Sequence, residues 1–197
     1  MPLFASADTQ DNRCNILVLG DSLSAAYGMS TNQGWVELLN VRLKQQGYRC
    51  SIVNASVSGD TTQGGKARLP SLLQQHAPSH LILELGANNG LRALPTKMME
   101  QDLQWMIQEA KSSQVEVLLV GMRMPPNYGP IYTNQFAEVY ESLAKEGDLA
   151  FVPFFLEGVI TKPEWMQADA LHPNADGQMR LMENIWPKLL LILPKKP

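Results

Sequence analysis

Five short apolar runs alternate with amphipathic stretches along this chain of 197 residues. Each run has the length and composition of a strand, and each stretch has the 3.6-residue periodicity of a helix. The runs cover residues 16–19, 51–54, 81–85, 115–120 and 150–152, and the stretches cover residues 34–46, 61–75, 95–112, 131–145 and 175–193. This order predicts an α/β fold: a parallel, five-stranded, doubly wound sheet with helices on both faces, in three α/β/α layers.

Three prolines bear on the ends of these helices. We expect Pro70 and Pro187 to interrupt or kink theirs, because proline lacks the N–H that a helix interior uses. Pro95 suits the first turn of the helix that it begins.

Composition narrows the function classes. The net charge is −3, and the Lys and Arg residues are scattered, which argues against nucleic-acid binding. No apolar stretch approaches the roughly 20 residues that a membrane-spanning helix needs. The absence of repeats and linkers predicts a single domain over residues 13–197.

The first 12 residues contain the tripeptide Ala5-Ser6-Ala7 behind a short apolar stub. That pattern is typical of the end of a signal peptide, although no charged region and no full apolar region precede it. Two interpretations stay open: a signal-peptide remnant, or a chance pattern in a disordered terminus. The first predicts a periplasmic or secreted protein.

The two cysteines, Cys14 and Cys50, each directly precede an apolar run. Neighbouring parallel strands would bring both to one end of the sheet, within the separation that a disulfide requires. In an oxidising compartment they would pair. A structural disulfide and two unrelated thiols both stay open.

Polar residues follow the runs at the end where open α/β sheets bind their ligands. Ser22 follows the first run, Gly59 the second and Asn88 the third, while residues 169–172 precede the last helix. The first three segments converge at one end of a doubly wound sheet, and the fourth can reach it.

Asp169, His172 and Ser22 together have the residue types of a nucleophilic triad. A serine hydroxyl needs a base, and histidine has a suitable pKa. A carboxylate orients the imidazole. Pro173 keeps His172 out of a helix and in a loop.

Three groups are candidate donors to an oxyanion: the N–H of Ser22, the N–H of Gly59 and the side-chain amide of Asn88. Glycine allows close approach because it has no Cβ. Together with the triad, these donors predict a site where a serine nucleophile reacts and a developing oxyanion is stabilised.

These segments resemble the SGNH, or GDSL, hydrolase superfamily. Residues 20–24 (Gly-Asp-Ser-Leu-Ser), Gly59, residues 86–88 (Gly-Ala-Asn) and residues 169–172 (Asp-Ala-Leu-His) look like its four blocks. Residues 54–61, 90–92 and 172–174 look like the bacterial arylesterase/thioesterase I/lysophospholipase branch. The resemblance implies a flavodoxin-like fold and hydrolysis of acyl esters, thioesters or lysophospholipids. It also implies a periplasmic monomer without metal or cofactor.

The third block departs from the family pattern at Asn89, where an aspartate is usual. Asparagine can cap a helix or close a turn as aspartate does, so we expect the loop to keep its shape. The loss of a carboxylate there puts its rigidity and electrostatics in question. Ala87 replaces a frequent glycine, a minor change.

Five apolar residues near the same end of the sheet are candidates for an acyl pocket: Leu91, Leu94, Met122, Met124 and Pro125.

Glu84 interrupts the apolar third run, so we expect a structural carboxylate with a hydrogen-bond partner. His76 and His80 have i,i+4 spacing, but Pro78 breaks the helix that a metal site would need, so we expect solvated histidines.

Two alternatives to this interpretation stay open. A carbohydrate O-acetyl esterase or an acyltransferase would use the same residues. A non-catalytic binding module on a flavodoxin-like fold would use Ser22 as a phosphate-binding hydroxyl, although Asp21 beside it would repel phosphate.

Overall fold

The computed structural model describes residues 14–194. Its strands are β1 (Cys14–Gly20), β2 (Cys50–Asn54), β3 (His80–Glu84), β4 (Glu116–Val120) and β5 (Ala150–Val152). Its α-helices are α1 (Trp35–Gln45), α2 (Thr62–His76), α3 (Ala87–Leu91), α4 (Thr96–Ser112), α5 (Pro130–Glu146) and α6 (Ala175–Leu189).

The five strands form one parallel sheet in the order β2-β1-β3-β4-β5. This is the flavodoxin-like order, and it places a topological switch point between β1 and β3. Helix α1 packs against α6, while α4 packs against both α2 and α5. The predicted three-layer α/β/α fold is confirmed, and the switch point is where ligands are expected.

The sheet is most deeply buried at its centre. All five residues of β3 are buried, and β1 is buried except at Asn15. Strands covered on both faces read as continuous apolar runs, which is why the sequence marks them clearly. Trp35, Phe136, Tyr140 and Phe155 are the largest fully buried side chains of the surrounding core.

Three of the differences from the prediction concern where helices occur, begin and end. A short helix, α3, occupies a segment that the sequence suggested to be a loop, and α6 ends at Leu189 rather than at residue 193. Leu191 beyond it is 71% exposed. Pro95 is the N-cap of α4 rather than a first-turn residue. A five-residue helix is too short for periodicity to reveal it.

The expected interruptions at Pro70 and Pro187 are absent, since α2 and α6 continue through them. Both prolines are exposed. On the solvent side of a helix, water can satisfy the carbonyl group that a proline leaves without its N–H partner.

A disulfide joins β1 to β2 at the amino end of the sheet. Cys14 and Cys50 are direct partners in the strand register, their Cα atoms lie 4.4 Å apart and their sulfurs are bonded. The bridge therefore lies at the opposite end of the strands from the segments that follow them.

His80 is not solvated, as the sequence had suggested, but 5% exposed at the start of β3. Its Nε2 lies 2.9 Å from the carbonyl oxygen of Ile192 and its Nδ1 lies 2.8 Å from Ser79 Oγ. Burial lowers the pKa of this imidazole. His76 ends α2, so the two histidines belong to different elements.

Within residues 14–194, no group of three or more His, Cys, Asp and Glu side chains is placed to hold a metal ion. In the same residues, no helix has the length and apolar character needed to cross a membrane.

Candidate active site

Ser22 lies on a helix-like turn that begins where β1 ends. The turn is closed by hydrogen bonds from Ala25 N to Asp21 O (2.9 Å) and from Tyr27 N to Ser22 O (3.2 Å). The Asp21 side chain accepts from Leu23 N at 3.0 Å, a local bond that favours such turns. Ser22 is thereby held, partly exposed, at the carboxyl end of the central strands.

His172 lies in a loop that its neighbours fix in place before α6 begins. Its carbonyl accepts from Gln167 N at 2.7 Å, and Asn174 N donates to Trp165 O at 2.8 Å. Asn174 also caps α6 by accepting from two backbone N–H groups of the first turn. The imidazole packs against the ring of Tyr27, with centroids 4.6 Å apart.

The structure brings Asp169, His172 and Ser22 together. His172 Nε2 lies 2.9 Å from Ser22 Oγ, and His172 Nδ1 lies 2.7 Å from Asp169 Oδ2. Because an ionised carboxylate only accepts, Nδ1 carries the imidazole proton and Nε2 is free to accept the serine proton. Residues 150 positions apart are thus in direct contact.

Asp169 keeps its charge through local hydrogen bonds. Its Oδ1 accepts from the backbone N–H of His172 at 3.0 Å and of Leu171 at 2.9 Å. The His172 backbone bond, then the bond to the imidazole, lowers the pKa of Asp169 to about 2. The carboxylate is therefore ionised throughout the neutral range, although it lies at the surface.

The backbone N–H groups of Ser22 and Gly59 have no acceptor among residues 14–194. Gly59 is the third residue of a turn closed by Asp60 N donating to Val57 O at 3.1 Å. Its φ of +80° is in the region that favours glycine. Both residues line the same cavity.

Asn88 lies in the first turn of α3, and its amide is already hydrogen-bonded within the protein. Nδ2 donates to Asp21 Oδ2 at 3.0 Å and to the carbonyl oxygen of Asp60 at 2.9 Å. These bonds join the first three sequence segments. They also mean that Asn88 is not the free donor that the sequence suggested, because both amide hydrogens have acceptors.

Two carboxyl groups are buried behind the serine. Glu84 accepts from Ser24 Oγ at 2.7 Å and from Asp21 N at 3.3 Å, which supplies the partners that the sequence could not name. Burial, reinforced by the charge of Asp21, raises the pKa of Glu84 well above its usual value. Burial likewise raises the pKa of Asp21 to about 6, against the opposing effect of the Leu23 N–H.

Asn89 holds α3 to the start of α2. Its Oδ1 accepts from Thr62 N at 3.0 Å and its Nδ2 donates to Thr62 Oγ1 at 2.9 Å. Thr62 Oγ1 donates in turn to Asp102 at 3.2 Å. Two hydrogen bonds from Asn89 thus hold α3 to the start of α2. The nearby carboxylate is that of Asp102, not of an aspartate at residue 89.

A cavity of about 340 Å³ opens beside Ser22. Four of the candidate pocket residues line it: Leu91, Met122, Met124 and Pro125. Leu94 is not in its lining, which corrects the expectation. The Leu94 carbonyl accepts from Tyr132 Oη at 2.8 Å, so this residue faces α5 through its backbone.

The cavity is also lined by residues that the sequence did not reveal: Tyr27, Arg123, Leu156, Ile160 and Leu171. Leu156 and Ile160 follow β5, where no motif marks them. Arg123 lies between two residues that were named, and its guanidinium lies over the Phe154 ring at 5.3 Å. Ligands of open α/β sheets bind at the carboxyl ends of the strands. The same expectation applied to the segments after β4 and β5 would have indicated Arg123, Leu156 and Ile160.

The model of one protein family matches residues 18–180, which is most of the chain. Its description is GDSL-like Lipase/Acylhydrolase family. The matched range contains all three residues in the Asp169–His172–Ser22 contact.

Curated relatives agree with that match. The chain is 49% identical over 178 residues to "Esterase TesA" of Pseudomonas aeruginosa, covering 90% of this chain and 89% of the relative. It is 48% identical over 174 residues to "Thioesterase 1/protease 1/lysophospholipase L1" of Escherichia coli, covering 88% and 79%.

A solved structure described as "Crystal Structure of TesA" superposes with a TM-score of 0.87 at 50% sequence identity. The match covers 89% of this chain and 97% of that one. The fold, the family model and the relatives lead to one conclusion: this chain belongs to the GDSL-like lipase/acylhydrolase family.

Proposed function

We propose that this protein is a serine esterase that hydrolyses acyl esters and thioesters through an acyl-enzyme. One observation carries the proposal: the unbroken contact from Asp169 through His172 to Ser22, at 2.7 and 2.9 Å, beside an apolar cavity. A base that accepts the serine proton and a carboxylate that orients the base are the requirements for an activated serine.

In the first half of the proposed reaction, His172 Nε2 takes the proton of Ser22 as Oγ attacks the carbonyl carbon. The carbonyl π-electrons move to its oxygen and make a tetrahedral oxyanion. When the bond to the leaving group breaks, that alcohol or thiol departs with the proton from His172. The acyl group stays on Ser22 as an ester.

In the second half, water takes the place of the alcohol. His172 accepts a proton from water, the hydroxide attacks the acyl-enzyme, and a second tetrahedral oxyanion forms. Collapse of this intermediate releases the carboxylic acid and returns the proton to Ser22 Oγ. No external oxidant, reductant or metal enters the balance.

The proposed oxyanion site consists of the N–H groups of Ser22 and Gly59 with the amide of Asn88. The first two are free of protein acceptors among residues 14–194. Asn88 would share a hydrogen between the oxyanion and Asp21 or Asp60, its present acceptors. Its position is therefore fixed before the substrate arrives, as electrostatic preorganisation requires.

The proposed substrates are small molecules with an apolar acyl chain, because most of the side chains that line the cavity are apolar. Its volume of about 340 Å³ leaves space for a chain longer than acetyl. Lysophospholipids meet this requirement and are proposed as one substrate group.

A fluorophosphonate probe with p-nitrophenyl esters of short and long chain tests the proposal. We expect covalent mass on Ser22, turnover by the wild-type protein, and neither in Ser22→Ala. Ser112→Ala removes an exposed hydroxyl from the end of α4 and should behave as wild type. Absence of both labelling and turnover would favour a binding module, and exclusive release of acetate from sugars would favour an O-acetyl esterase.

We further propose that the protein works as a monomer in the periplasm or outside the cell. The complete triad within one chain supports the first point, and the Cys14–Cys50 bond supports an oxidising compartment. Light scattering on the purified protein tests the first. Cell fractionation, with mass spectrometry before and after reduction, tests the second; a cytoplasmic protein with two free thiols would contradict it.

A further inference from the structure

The turn that carries Gly59 has little packing to hold its shape. Val57 is 48% exposed, Ser58 and Gly59 are also exposed, and no atom lies within 4 Å of the place where a Gly59 Cβ would stand. Within the turn, one backbone bond is present, from Asp60 N to Val57 O. Polar contacts from neighbouring elements must therefore fix it.

The direction of the Gly59 N–H depends on the conformation of this turn. The N–H belongs to the central peptide group, between Ser58 and Gly59. That group reverses its direction between type I and type II turns, and a positive φ at the third residue is the type II requirement. At φ +80° the turn has one of two available orientations, so whatever fixes the turn also fixes this donor.

Arg68, two turns into α2, holds both ends of the segment that contains the turn. Its Nη1 donates to the carbonyl oxygen of Ala55 at 2.7 Å, and its Nη2 donates to Asp60 Oδ2 at 2.6 Å. Ala55 precedes the turn by two residues and Asp60 is its fourth residue, so the two acceptors are five residues apart. The planar guanidinium donates to the two acceptors from two different nitrogens held in a rigid fork, whereas a lysine has a single donor nitrogen.

The same residue is connected to the other oxyanion donor. Asp60 receives the Arg68 ion pair on its side chain and the Asn88 amide on its carbonyl oxygen. The Asp60 and Arg68 side chains are 12% and 31% exposed, so the pair is partly shielded from water. Gly64 leaves space for the Asp60 carboxylate beside α2, since a Cβ at residue 64 would collide with Asp60 Oδ1.

We infer that Arg68 is a positioning residue of the oxyanion site: by joining Ala55 to Asp60, it holds the 57–60 turn so that Gly59 N–H and Asn88 face the reacting oxygen. This inference rests on the proposed esterase function. Arg68 touches neither substrate nor serine, and it acts through the turn. Arg92 adds a weaker, exposed contact from its Nη2 to Gly59 O at 3.0 Å.

The test compares Arg68→Met and Arg68→Lys with wild type and with Arg42→Met. Arg42 also packs its guanidinium in the fold, over Trp186 at 5.0 Å, but on α1 and away from the turn. The measurements are kcat and KM for a p-nitrophenyl ester, thermal unfolding, and inhibition by an alkylboronic acid. The boronate forms a tetrahedral serine adduct that mimics the oxyanion, whereas a fatty acid product forms no tetrahedral adduct and serves as the reference for ground-state binding.

We expect Arg68→Met to lower kcat by about tenfold and to change KM little. The effect should be smaller than that of removing a donor, because the oxyanion donors are displaced but still present. The boronate inhibition constant should rise by the same factor and that of the fatty acid should stay constant. The kcat of Arg68→Lys should lie between the values for Arg68→Met and wild type. The kcat of Arg42→Met should equal that of wild type.

Two results would overturn the inference: turnover in Arg68→Met equal to wild type, or reduced turnover with an unchanged boronate constant. If Arg68→Met fails to fold, the same comparison in Arg68→Lys decides. A wild-type protein that neither reacts with the fluorophosphonate nor hydrolyses esters would refute the esterase proposal itself, which separates the two failures.

Discussion

The two ends of the sheet are held in different ways. At the amino end a covalent bond joins Cys14 to Cys50, and His80 is buried between Ser79 and Ile192. At the carboxyl end, separate turns are joined by side-chain hydrogen bonds centred on Asn88 and Asp60. The comparison suggests that the amino end supplies stability, while the carboxyl end supplies geometry for the reaction.

Asp169→Asn, at the carboxyl end of the sheet, should have the largest effect on kcat. The amide would favour the wrong imidazole tautomer, so kcat should fall by roughly 10⁴-fold. Stability should change little, because Asp169 is exposed. Ester turnover and urea unfolding measure both effects. Asp148→Asn, at another exposed position, serves as control, and a loss under tenfold would contradict the triad.

Asn88→Ala should have the next largest effect at the carboxyl end. Removal of one oxyanion donor costs roughly 10²–10³ in kcat. The variant should fold, because the backbone of α3 is retained. Steady-state kinetics measures the loss, with the exposed Asn32→Ala as control. Wild-type turnover would remove Asn88 from its proposed role.

At the amino end, the double variant Cys14→Ala with Cys50→Ala should show the opposite pattern. Opening a loop with a sequence separation of 36 residues should lower the free energy of unfolding by about 3–4 kcal/mol. Turnover at a temperature where the variant is folded should equal that of wild type. A parallel loss of kcat would break the proposed division between the two ends.

The smallest expected effect concerns Glu84, the last residue of β3, whose carboxyl group is buried at the carboxyl end of the sheet. Its pKa is raised in the folded state, so folding binds a proton that the unfolded chain releases above its ordinary pKa near 4.5. Wild-type stability should therefore fall as pH rises above that value. Glu84→Gln does not titrate, and it keeps an acceptor for Ser24 and Asp21.

The free energy of unfolding of the variant should consequently rise relative to that of wild type as the pH increases from about 5 to about 8. Urea unfolding at the two pH values measures the difference. Asp21, whose pKa is about 6, interacts electrostatically with Glu84, so the difference between the two proteins reports the titration of this pair. A gap that is constant with pH would mean that Glu84 is ionised in the folded protein.

Much of the fold was accessible from local sequence. Strands β1 and β3 are covered on both faces, so their apolar runs are continuous and easy to recognise. The short helix α3 and the buried state of His80 were missed, because neither leaves a periodic signal. The helices α2 and α6 are not interrupted at Pro70 and Pro187, since the cost of a proline depends on which side of the helix faces water.

The candidate site divides in the same way. Ser22, Gly59, Asn88, Asp169 and His172 were identified as residue types following strands or preceding the last helix. Leu94 was wrongly included in the pocket and Ile160 was missed, because a pocket wall is made by loops whose packing is not local. The partners of Asn88 and the two-ended contact of Arg68 also join distant segments.

The sequence by itself determined the alternation of strands and helices and the set of reactive side chains, because these depend on neighbours within a few residues. The tertiary structure decided which groups meet and which remain free. It brings His172 into contact with Ser22, determines which acceptors bind the amide hydrogens of Asn88, and forms the cavity. Those outcomes depend on contacts between segments as far apart as 150 residues, which no local pattern encodes.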